Sequence, residues 1–320
     1  MSNRVIDMRL DFPLDKFGYN YLVDLWDNDD NFGYQDFFLK RCCSNIGLSV
    51  PEVLNTFKSG GKDAVRDLVF KAADKAGVGT FDEEMNKFFP ELDSIGVEYG
   101  VVTTVDRDND RTVEILNKYG KDRMMGICFA DCRKGMDAVR QLEYDVKERG
   151  LGCLYVSAYR NGLPADDRRN YPLFAKACEL DIPVFIYSCM NYDNNLPMMI
   201  GHPSHIDQVA RDFPDMRIMA SVSGWPWVGE MMALGMRHKN VYVNLEVYEY
   251  KQLGINGSGF EMYREYVKGR LRKKLTFASM AATQGIPLKE LIQQVLDLPL
   301  DDGIKEDILY NNAARFLRRD

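Results

Sequence analysis

The sequence predicts a (β/α)8 barrel, in which eight parallel strands alternate with helices. Eight short apolar segments recur along the 320 residues, and most are rich in β-branched or aromatic side chains, as buried strands are. They are residues 4–10, 98–104, 123–130, 151–157, 183–188, 217–222, 241–246 and 275–280. The segments between them have helical spacing, and alternation of strand and helix is typical of parallel βαβ units. Eight such units form one barrel.

Helix-end signals support this alternation. Gly120 and Gly150 follow two segments of helical spacing, and glycine is common just after a helix C-terminus. Pro203 lies where the first turn of a helix tolerates proline, and another proline follows the end of the same segment. These signals place the predicted helices between the predicted strands.

The first strand is followed by an unusually long gap, which spans residues 11–97. We therefore expect one barrel domain over 1–320, with an aromatic-rich insertion at about 14–60 that opens onto the C-terminal mouth of the barrel. The insertion is interpreted as either a lid or a dimer arm. Methionine pairs such as Met198–Met199 add to the case for a homodimer, since methionine and aromatic residues are enriched at interfaces.

The amino-acid composition limits the classes of binding partner and the cellular location that we expect. Apolar residues make up 46% and charged residues 28%, with a net charge of −7, which argues against nucleic acid or an anionic membrane as the main partner. No apolar run approaches the roughly 18 residues of a membrane span. The polar N-terminus lacks a signal region, so we expect a cytoplasmic protein that binds a small molecule. Seven cysteines without a CxxC pair fit reduced thiols.

The order of several segments resembles the amidohydrolase superfamily. The segments are VIDMRLD, YPLFAKACELDIPVFIYS, GHPSHIDQVARDFPD, IMASVSGWPW, NVYVNLE, LTFAS and ILYNNAARFL. They are most similar to the amidohydrolase-related group that includes aminocarboxymuconate-semialdehyde decarboxylase and related lactonases. The resemblance covers nearly all of the chain except roughly residues 14–60.

That family implies a divalent metal at the barrel mouth, but the positions that would bind it are substituted. The family pattern is His-x-His after the strand-1 Asp, a His ending strand 5, often a His on strand 6 and an Asp ending strand 8. The corresponding residues here are Arg9, Asp11, Tyr187, Val222 and Met280. A fixed cation at position 9 repels a metal dication, so we expect no cofactor and no metal ligands.

Four residues are the candidates for catalysis without a metal. Arg9 presents a planar fork that suits a carboxylate or an oxyanion, and Asp11, which would share its strand face, would orient it or act as a base. A buried ion pair with a purely structural role is the alternative. Tyr187 would donate to a substrate oxygen, or pack with its hydroxyl on the backbone. His202 would be a general acid or base, or a helix cap.

Six further residues are the candidates for substrate binding, because they follow or end predicted strands near the mouth. They are Tyr155, Ser157, Arg160, Asn191, Trp225 and Glu246. Glu246 ends strand 7, and a carboxylate at the C-terminal end of a barrel strand faces the active site. Trp225 would form the wall of a pocket for a flat ligand.

The preferred hypothesis is a metal-independent hydrolase of a small cyclic or aromatic carboxylic acid, a lactone or a cyclic β-dicarbonyl. An activated ring carbonyl can be attacked with hydrogen-bond assistance alone, which favours hydrolysis. The alternatives are a lyase or decarboxylase on a similar aromatic acid, with Arg9 as the carboxylate anchor, and a catalytically inactive ligand-binding barrel. Fold analogy does not decide among them.

Overall fold

The computed structural model describes residues 4–24, 41–120, 122–192 and 195–319. Eight parallel strands form one sheet in the order β1 to β8, each hydrogen-bonded to the next. The strands are β1 Val5–Asp11, β2 Val97–Thr103, β3 Met124–Phe129, β4 Cys153–Val156, β5 Val184–Tyr187, β6 Ile218–Ser221, β7 Val241–Asn244 and β8 Leu275–Thr276. The N–H of Met8 donates to the carbonyl of Phe277 at 2.9 Å, which places β8 beside β1 and nearly closes the barrel. The predicted fold class is confirmed.

Helices lie between the strands throughout the described chain. They are α1 Lys16–Asp24, α2 Val50–Lys75, α3 Phe81–Ser94, α4 Asn109–Tyr119, α5 Met136–Lys147, α6 Ala158–Asn161, α7 Tyr171–Glu179, α8 Pro203–Asp212, α9 Val228–Arg237, α10 Glu261–Tyr266, α11 Ala281–Gln284, α12 Leu288–Leu296, α13 Asp302–Glu306 and α14 Asn312–Leu317. The end signals act as predicted: Gly120 follows α4 with a φ of 110°, and Pro203 opens α8. Among the described residues, no helix is long and apolar enough to cross a membrane.

The barrel has an interior core and an outer core, because successive strand side chains point to opposite faces. Inward-facing side chains fill the interior, and those at its centre are Ile6, Met8, Tyr99, Val101, Ile127, Cys153, Tyr155, Phe185 and Met219. The side chains on the other face of the strands pack against the helices. The interior is therefore a packed core.

The predicted insertion is helical in its described part. It contains α1, residues 41–45 and the start of α2, while residues 25–40 lie outside the described chain. Helix α2 begins at Val50, because the Ser49 side chain accepts the N–H of Glu52 and caps the helix there. Residues 41–45 lie against the segment after β8, where the Asn45 side chain donates to the Gly285 carbonyl at 3.0 Å. The boundaries of the insertion and its role as a lid or dimer arm stay predictions.

Candidate functional site

The backbone of β1 is irregular where Arg9 lies. Asp7 pairs with Gly100 and Leu10 with Val102, so three steps along β1 match two along β2. Such a bulge turns a side chain away from the direction it would have in a regular strand. Two residues later the pairing is regular again, and Asp11 lies beside the C-terminal end of β2.

Hydrogen bonds to the segment after β8 hold this bulge in place. The Oδ1 atom of Asp7 accepts the backbone N–H of Arg9 at 3.0 Å and that of Ser279 at 2.9 Å. The carbonyl of Arg9 accepts the N–H of Met280 at 2.8 Å. Position 9 is therefore fixed at the seam where the barrel closes.

A buried polar cluster lies at the C-terminal mouth of the barrel. The guanidinium of Arg9, whose residue is 2% exposed, donates from Nη1 to Oδ1 of Asp11 at 3.1 Å. Its Nε lies 3.9 Å from Oε1 of Glu246. The same Oε1 accepts the hydroxyl of Tyr155 at 3.0 Å. Side chains from β1, from β4 and from the segment after β7 thus meet around one cation.

Further hydrogen bonds orient both carboxylates of this cluster. Oδ2 of Asp11 accepts the backbone N–H of Thr283 at 2.8 Å. The side-chain amide of Asn244 donates to Oε2 of Glu246 at 3.5 Å and to Oγ of Ser221 at 3.4 Å. Ser221, the last residue of β6, is not one of the predicted site residues, because the resemblance places the strand-6 position at the neighbouring Val222.

Burial and mutual charge set the protonation of the cluster. Burial works to lower the pKa of Arg9, but the charges of Asp11 and Glu246 raise it and prevail, so the guanidinium stays charged. Burial raises the pKa of Glu246 above its ordinary value, and the charge of Arg9 and the hydrogen bond from Tyr155 oppose this only in part. Burial, with the charge of Glu246, raises the pKa of Tyr155 well above its ordinary value, so the phenol is a neutral donor.

One donor of the cluster has no acceptor. The Nε–H of Arg9 is buried and makes no hydrogen bond with any described residue. Nearly all buried polar groups in folded proteins are satisfied, and an exception calls for an explanation such as a ligand. The Glu246 carboxylate, with Oε1 at 3.9 Å from Nε, is too distant to accept this hydrogen bond.

Tyr187 and His202, two of the predicted catalytic residues, make local contacts instead. The hydroxyl of Tyr187 donates to the carbonyl of Met190 at 3.1 Å. His202 caps α8, where its Nδ1 accepts the N–H of Ser204 at 3.2 Å, and its ring packs edge-on against Trp227. Burial lowers the pKa of His202. Within the described chain, the hydrogen bonds and ion pairs of Arg9 include neither residue.

The predicted substrate-binding residues divide into two groups. Tyr155, Ser157 and Arg160 line a cavity of about 460 Å³ at the C-terminal ends of β3 and β4, and Tyr155 also contacts Glu246. Trp225 stacks on Phe260 with ring centroids 5.5 Å apart. Asn191 is buried after β5, where its N–H donates to the carbonyl of Met198 at 3.2 Å. The structure therefore brings three of the six to one cavity and joins Glu246 to them through Tyr155.

Arg107 belongs to the same region and was missed by the sequence analysis. It lies four residues after the end of β2, and its positive charge lowers the pKa values of both Glu246 and Tyr155. Its position after a strand C-terminus is the signal that could have found it, since this is the rule that identified Glu246.

The fold and the site define a (β/α)8 barrel with its polar cluster at the C-terminal mouth, and sequence comparison gives the family. The family model described as Amidohydrolase matches residues 66–319. The chain belongs to the amidohydrolase family, as the resemblance predicted. No curated protein matches the chain significantly.

Solved structures with the same fold include enzymes that act on small acids. An uncharacterised TIM-barrel protein from Bordetella bronchiseptica is 22% identical, with a TM-score of 0.68 and 99% of each chain covered. A 5-carboxyvanillate decarboxylase from Novosphingobium aromaticivorans, solved with manganese and 4-hydroxy-3-methoxy-5-nitrobenzoic acid, is 13% identical at a TM-score of 0.60, covering 99% of this chain and 96% of that one. A probable 2-pyrone-4,6-dicarboxylic acid hydrolase from Acinetobacter baumannii with citric acid bound is 14% identical at 0.54, covering 73% and 88%.

The manganese in the decarboxylase contradicts the expectation that no metal cofactor is involved, because it indicates a metal in this family. Most of the side chains of this chain at the corresponding positions are poor ligands for a metal ion. Arg9, Tyr187 and Met280 stand at positions where the resemblance implies ligands, and the first of these is a buried cation. Within the described ranges, no three His, Cys, Asp or Glu side chains are grouped so that they could hold a metal ion. These residues do not fit a divalent metal at this place.

Proposed function

We propose that this chain is an enzyme that hydrolyses a small cyclic or aromatic carboxylic acid, a lactone or a cyclic β-dicarbonyl at the mouth of the barrel. The reacting groups are Arg9 and Glu246, and Asp11 and Tyr155 position them through hydrogen bonds. The observation that carries the proposal is the buried Arg9, whose Nε–H has no acceptor among the described residues and lies 3.9 Å from Glu246. Hydrolases and decarboxylases among the structural relatives support the choice of reaction class.

Each group has a defined part in the hydrolysis. Glu246, whose pKa is raised by burial, is in its ionised form the base that removes a proton from the attacking water. Arg9 donates from Nε to the carbonyl oxygen as it becomes an oxyanion. Glu246 then returns the proton to the ring oxygen or ring carbon that leaves, so protons balance over the cycle. Asp11 is a positioning residue, because its hydrogen bonds with Nη1 of Arg9 and with the backbone N–H of Thr283 fix the orientation of the Arg9 guanidinium.

Decarboxylation of an aromatic acid is the second candidate, and the raised pKa of Glu246 favours it. A raised pKa extends the pH range over which Glu246 holds its proton, and the protonated form can deliver that proton to the ring carbon as carbon dioxide departs. The Arg9 fork would then hold a substrate oxygen next to the bond that breaks. The two reactions use the same residues and differ in the protonation state in which Glu246 begins the cycle.

Product analysis of a substrate panel tests the proposal. Purified protein, with and without added manganese, is incubated with small lactones, cyclic 1,3-diketones and hydroxybenzoic acids, and products are identified by mass spectrometry as gaining water or losing carbon dioxide. We expect ring opening by the wild type, loss of at least about 100-fold of turnover in Glu246→Gln, and no change in the control Glu114→Gln, which alters an exposed glutamate on α4.

Two results would contradict the proposal. Equal turnover in Glu246→Gln and the wild type would remove Glu246 from the chemistry. Tight binding of ring acids without conversion of any compound would instead identify an inactive ligand-binding barrel.

A further inference from the structure

The reacting groups are covered in this structure. Arg9 and Glu246 are each 2% exposed and Asp11 is 6% exposed, and the Nε atom of Arg9 is itself buried. A substrate oxygen can therefore reach Nε only after a part of the structure around it moves. The loops after β7 and β8 flank these groups, because Glu246 follows β7 and Thr283, whose N–H bonds to Asp11, follows β8.

Residues 41–45, which we call the strap, contact the loop after β7 through an ion pair. Nη2 of Arg41 donates to Oε1 of Glu249 at 2.5 Å, three residues beyond Glu246. Glu249 is 6% exposed, and its Oε2 also accepts the side-chain amide of Gln294 at 2.9 Å and pairs with Lys251 at 2.6 Å. The loop thus holds a fixed, buried carboxylate toward the first residue of the strap.

The strap also contacts the loop after β8, directly beside Asp11. The thiol of Cys42 donates to the carbonyl of Thr283 at 3.4 Å, and the N–H of the same Thr283 donates to Asp11. The side chain of Asn45 donates to the carbonyl of Gly285 at 3.0 Å. Burial raises the pKa of Cys42 to about 12, and the charge of Asp11 adds to the shift. The strap therefore spans the two loops that carry and support the reacting groups.

The insertion that contains the strap has a hydrophobic core of its own. Cys43 packs in a cluster with Val23 of α1 and with Val53 and Val65 of α2, separate from the two cores of the barrel. The contacts of the strap with the loops after β7 and β8 are polar, and polar groups exchange a protein partner for water at small net cost. The insertion can therefore separate from these loops while its own core stays intact.

We propose that the strap closes the reaction site beside Arg9 and Asp11 and opens to admit the substrate, with the Arg41–Glu249 ion pair as its latch. The inference rests on the proposed function for the location of the reacting groups, and it adds how access to them is regulated. Closure of such a segment removes bulk water and strengthens the electrostatic interactions beneath it. Arg41 controls access and does not contact the reacting atoms.

The thiol of Cys42 measures opening without any turnover. Cys42 is 1% exposed, whereas Cys178 is exposed and provides a reference in the same chain. The protein is incubated with iodoacetamide, and the labelling of each cysteine is followed over time by peptide mass spectrometry. In the wild type we expect Cys42 to react at least about 100-fold more slowly than Cys178, because it reacts only from the open state. Comparable rates at the two thiols would overturn the proposal.

Two variants that each remove one partner of Glu249 locate the latch. Arg41→Gln removes the partner on the strap, and we expect it to speed the labelling of Cys42 by about 10-fold. Lys251→Gln removes the partner on the loop after β7 and is the control, with labelling as in the wild type. The charge of Arg41 lowers the pKa of Cys42, so its loss alone would slow the reaction. Equal labelling rates in the two variants would overturn the proposal.

A further variant and an internal control guard against effects on folding. Should Arg41→Gln fold poorly, Asn45→Ala removes the contact with Gly285 at an exposed position and is expected to speed the labelling of Cys42 by at least about 3-fold. Cys153 lies in the barrel interior and is expected to stay as protected as in the wild type. A rise at Cys153 as large as that at Cys42 would show unfolding of the whole chain and would overturn the proposal.

The outcomes separate the strap from the proposed reaction. For an acid that the wild type converts, KM is expected to fall in Arg41→Gln by about the factor by which labelling rises, because the closed state competes with binding. Faster labelling of Cys42 in this variant without conversion of any compound supports the strap and refutes the reaction. Conversion with unchanged labelling or unchanged KM in this variant supports the reaction and refutes the strap.

Discussion

Asp7 gives a prediction whose size follows directly from the structure. Its side chain is fully buried, and burial raises its pKa from 3.8 to about 6. Oδ1 accepts two backbone N–H groups, whereas Oδ2 has no partner among the described residues. A rise of roughly two units corresponds to about 3 kcal/mol, at about 1.4 kcal/mol per unit. Ionisation of Asp7 is therefore less favourable in the folded state than in the unfolded state by about this amount.

The sign of the pH dependence follows from this shift. The folded state holds the proton of Asp7 more tightly than the unfolded state, so this residue lowers stability as the pH rises from about 4 to about 6, with little further change above pH 7. Asp7→Asn keeps an acceptor at Oδ1 without the charge. We expect the variant to be more stable than the wild type at pH 8 by about 2–3 kcal/mol and to lose that advantage toward pH 4.

Urea unfolding of both proteins at intervals between pH 4 and pH 8 measures the difference. Other titrating groups cancel in the comparison because both chains share them. A variant that is less stable than the wild type by the same amount at every pH would show that the carboxylate is a net stabilising acceptor, and would refute this reasoning.

Three further predictions concern the site and its surroundings. Tyr155→Phe removes the hydrogen bond that lowers the pKa of Glu246. We therefore expect the acid limb of the turnover–pH profile to move to higher pH and the free energy of unfolding to fall by about 1 kcal/mol. An unmoved acid limb would contradict the effect of Tyr155 on Glu246. Gly285→Ala would place Cβ 2.9 Å from the backbone N of Cys42, whereas at Gly77, also at positive φ, nothing lies within 4 Å. The first substitution should lower thermal stability by about 1–3 kcal/mol more than the second, and equal losses would disprove the close approach of residues 41–45. His202→Ala should cost about 1 kcal/mol in urea unfolding through loss of the α8 cap, and unchanged stability would contradict that role.

The strands were predictable because buried parallel strands produce continuous apolar segments that are separated by helices. All eight are present where the apolar segments lie. The errors fall at the C-terminal ends of the last two, where the segments 241–246 and 275–280 extend beyond β7 and β8. At the end of β7 the Asn244 side chain accepts a backbone N–H, after β8 the Ser279 side chain does the same, and Met280 turns to a φ of 46°. The apolar composition of a segment does not show where its backbone stops bonding to the sheet and side chains provide the hydrogen bonds instead.

The candidate site was predictable only in part. The period of two along β1 places Arg9 and Asp11 on one face, and the strand-end rule marks Glu246. The contact between Glu246 and Tyr155 depends on the closing of the barrel, which brings together residues far apart in sequence. The Tyr187 hydroxyl and Nδ1 of His202 form hydrogen bonds with nearby backbone, which depends on local geometry and does not follow from residue type. Arg107 carries no signal beyond its position after β2.

A crystal structure of the protein with a hydroxybenzoic acid bound tests the central claim, that Arg9 and Glu246 form the reaction site, most directly. We expect an oxygen of the ligand within hydrogen-bond distance of Nε of Arg9 and next to Glu246. Binding instead at the separate cavity lined by Lys251, Gln294 and Leu298 would contradict it.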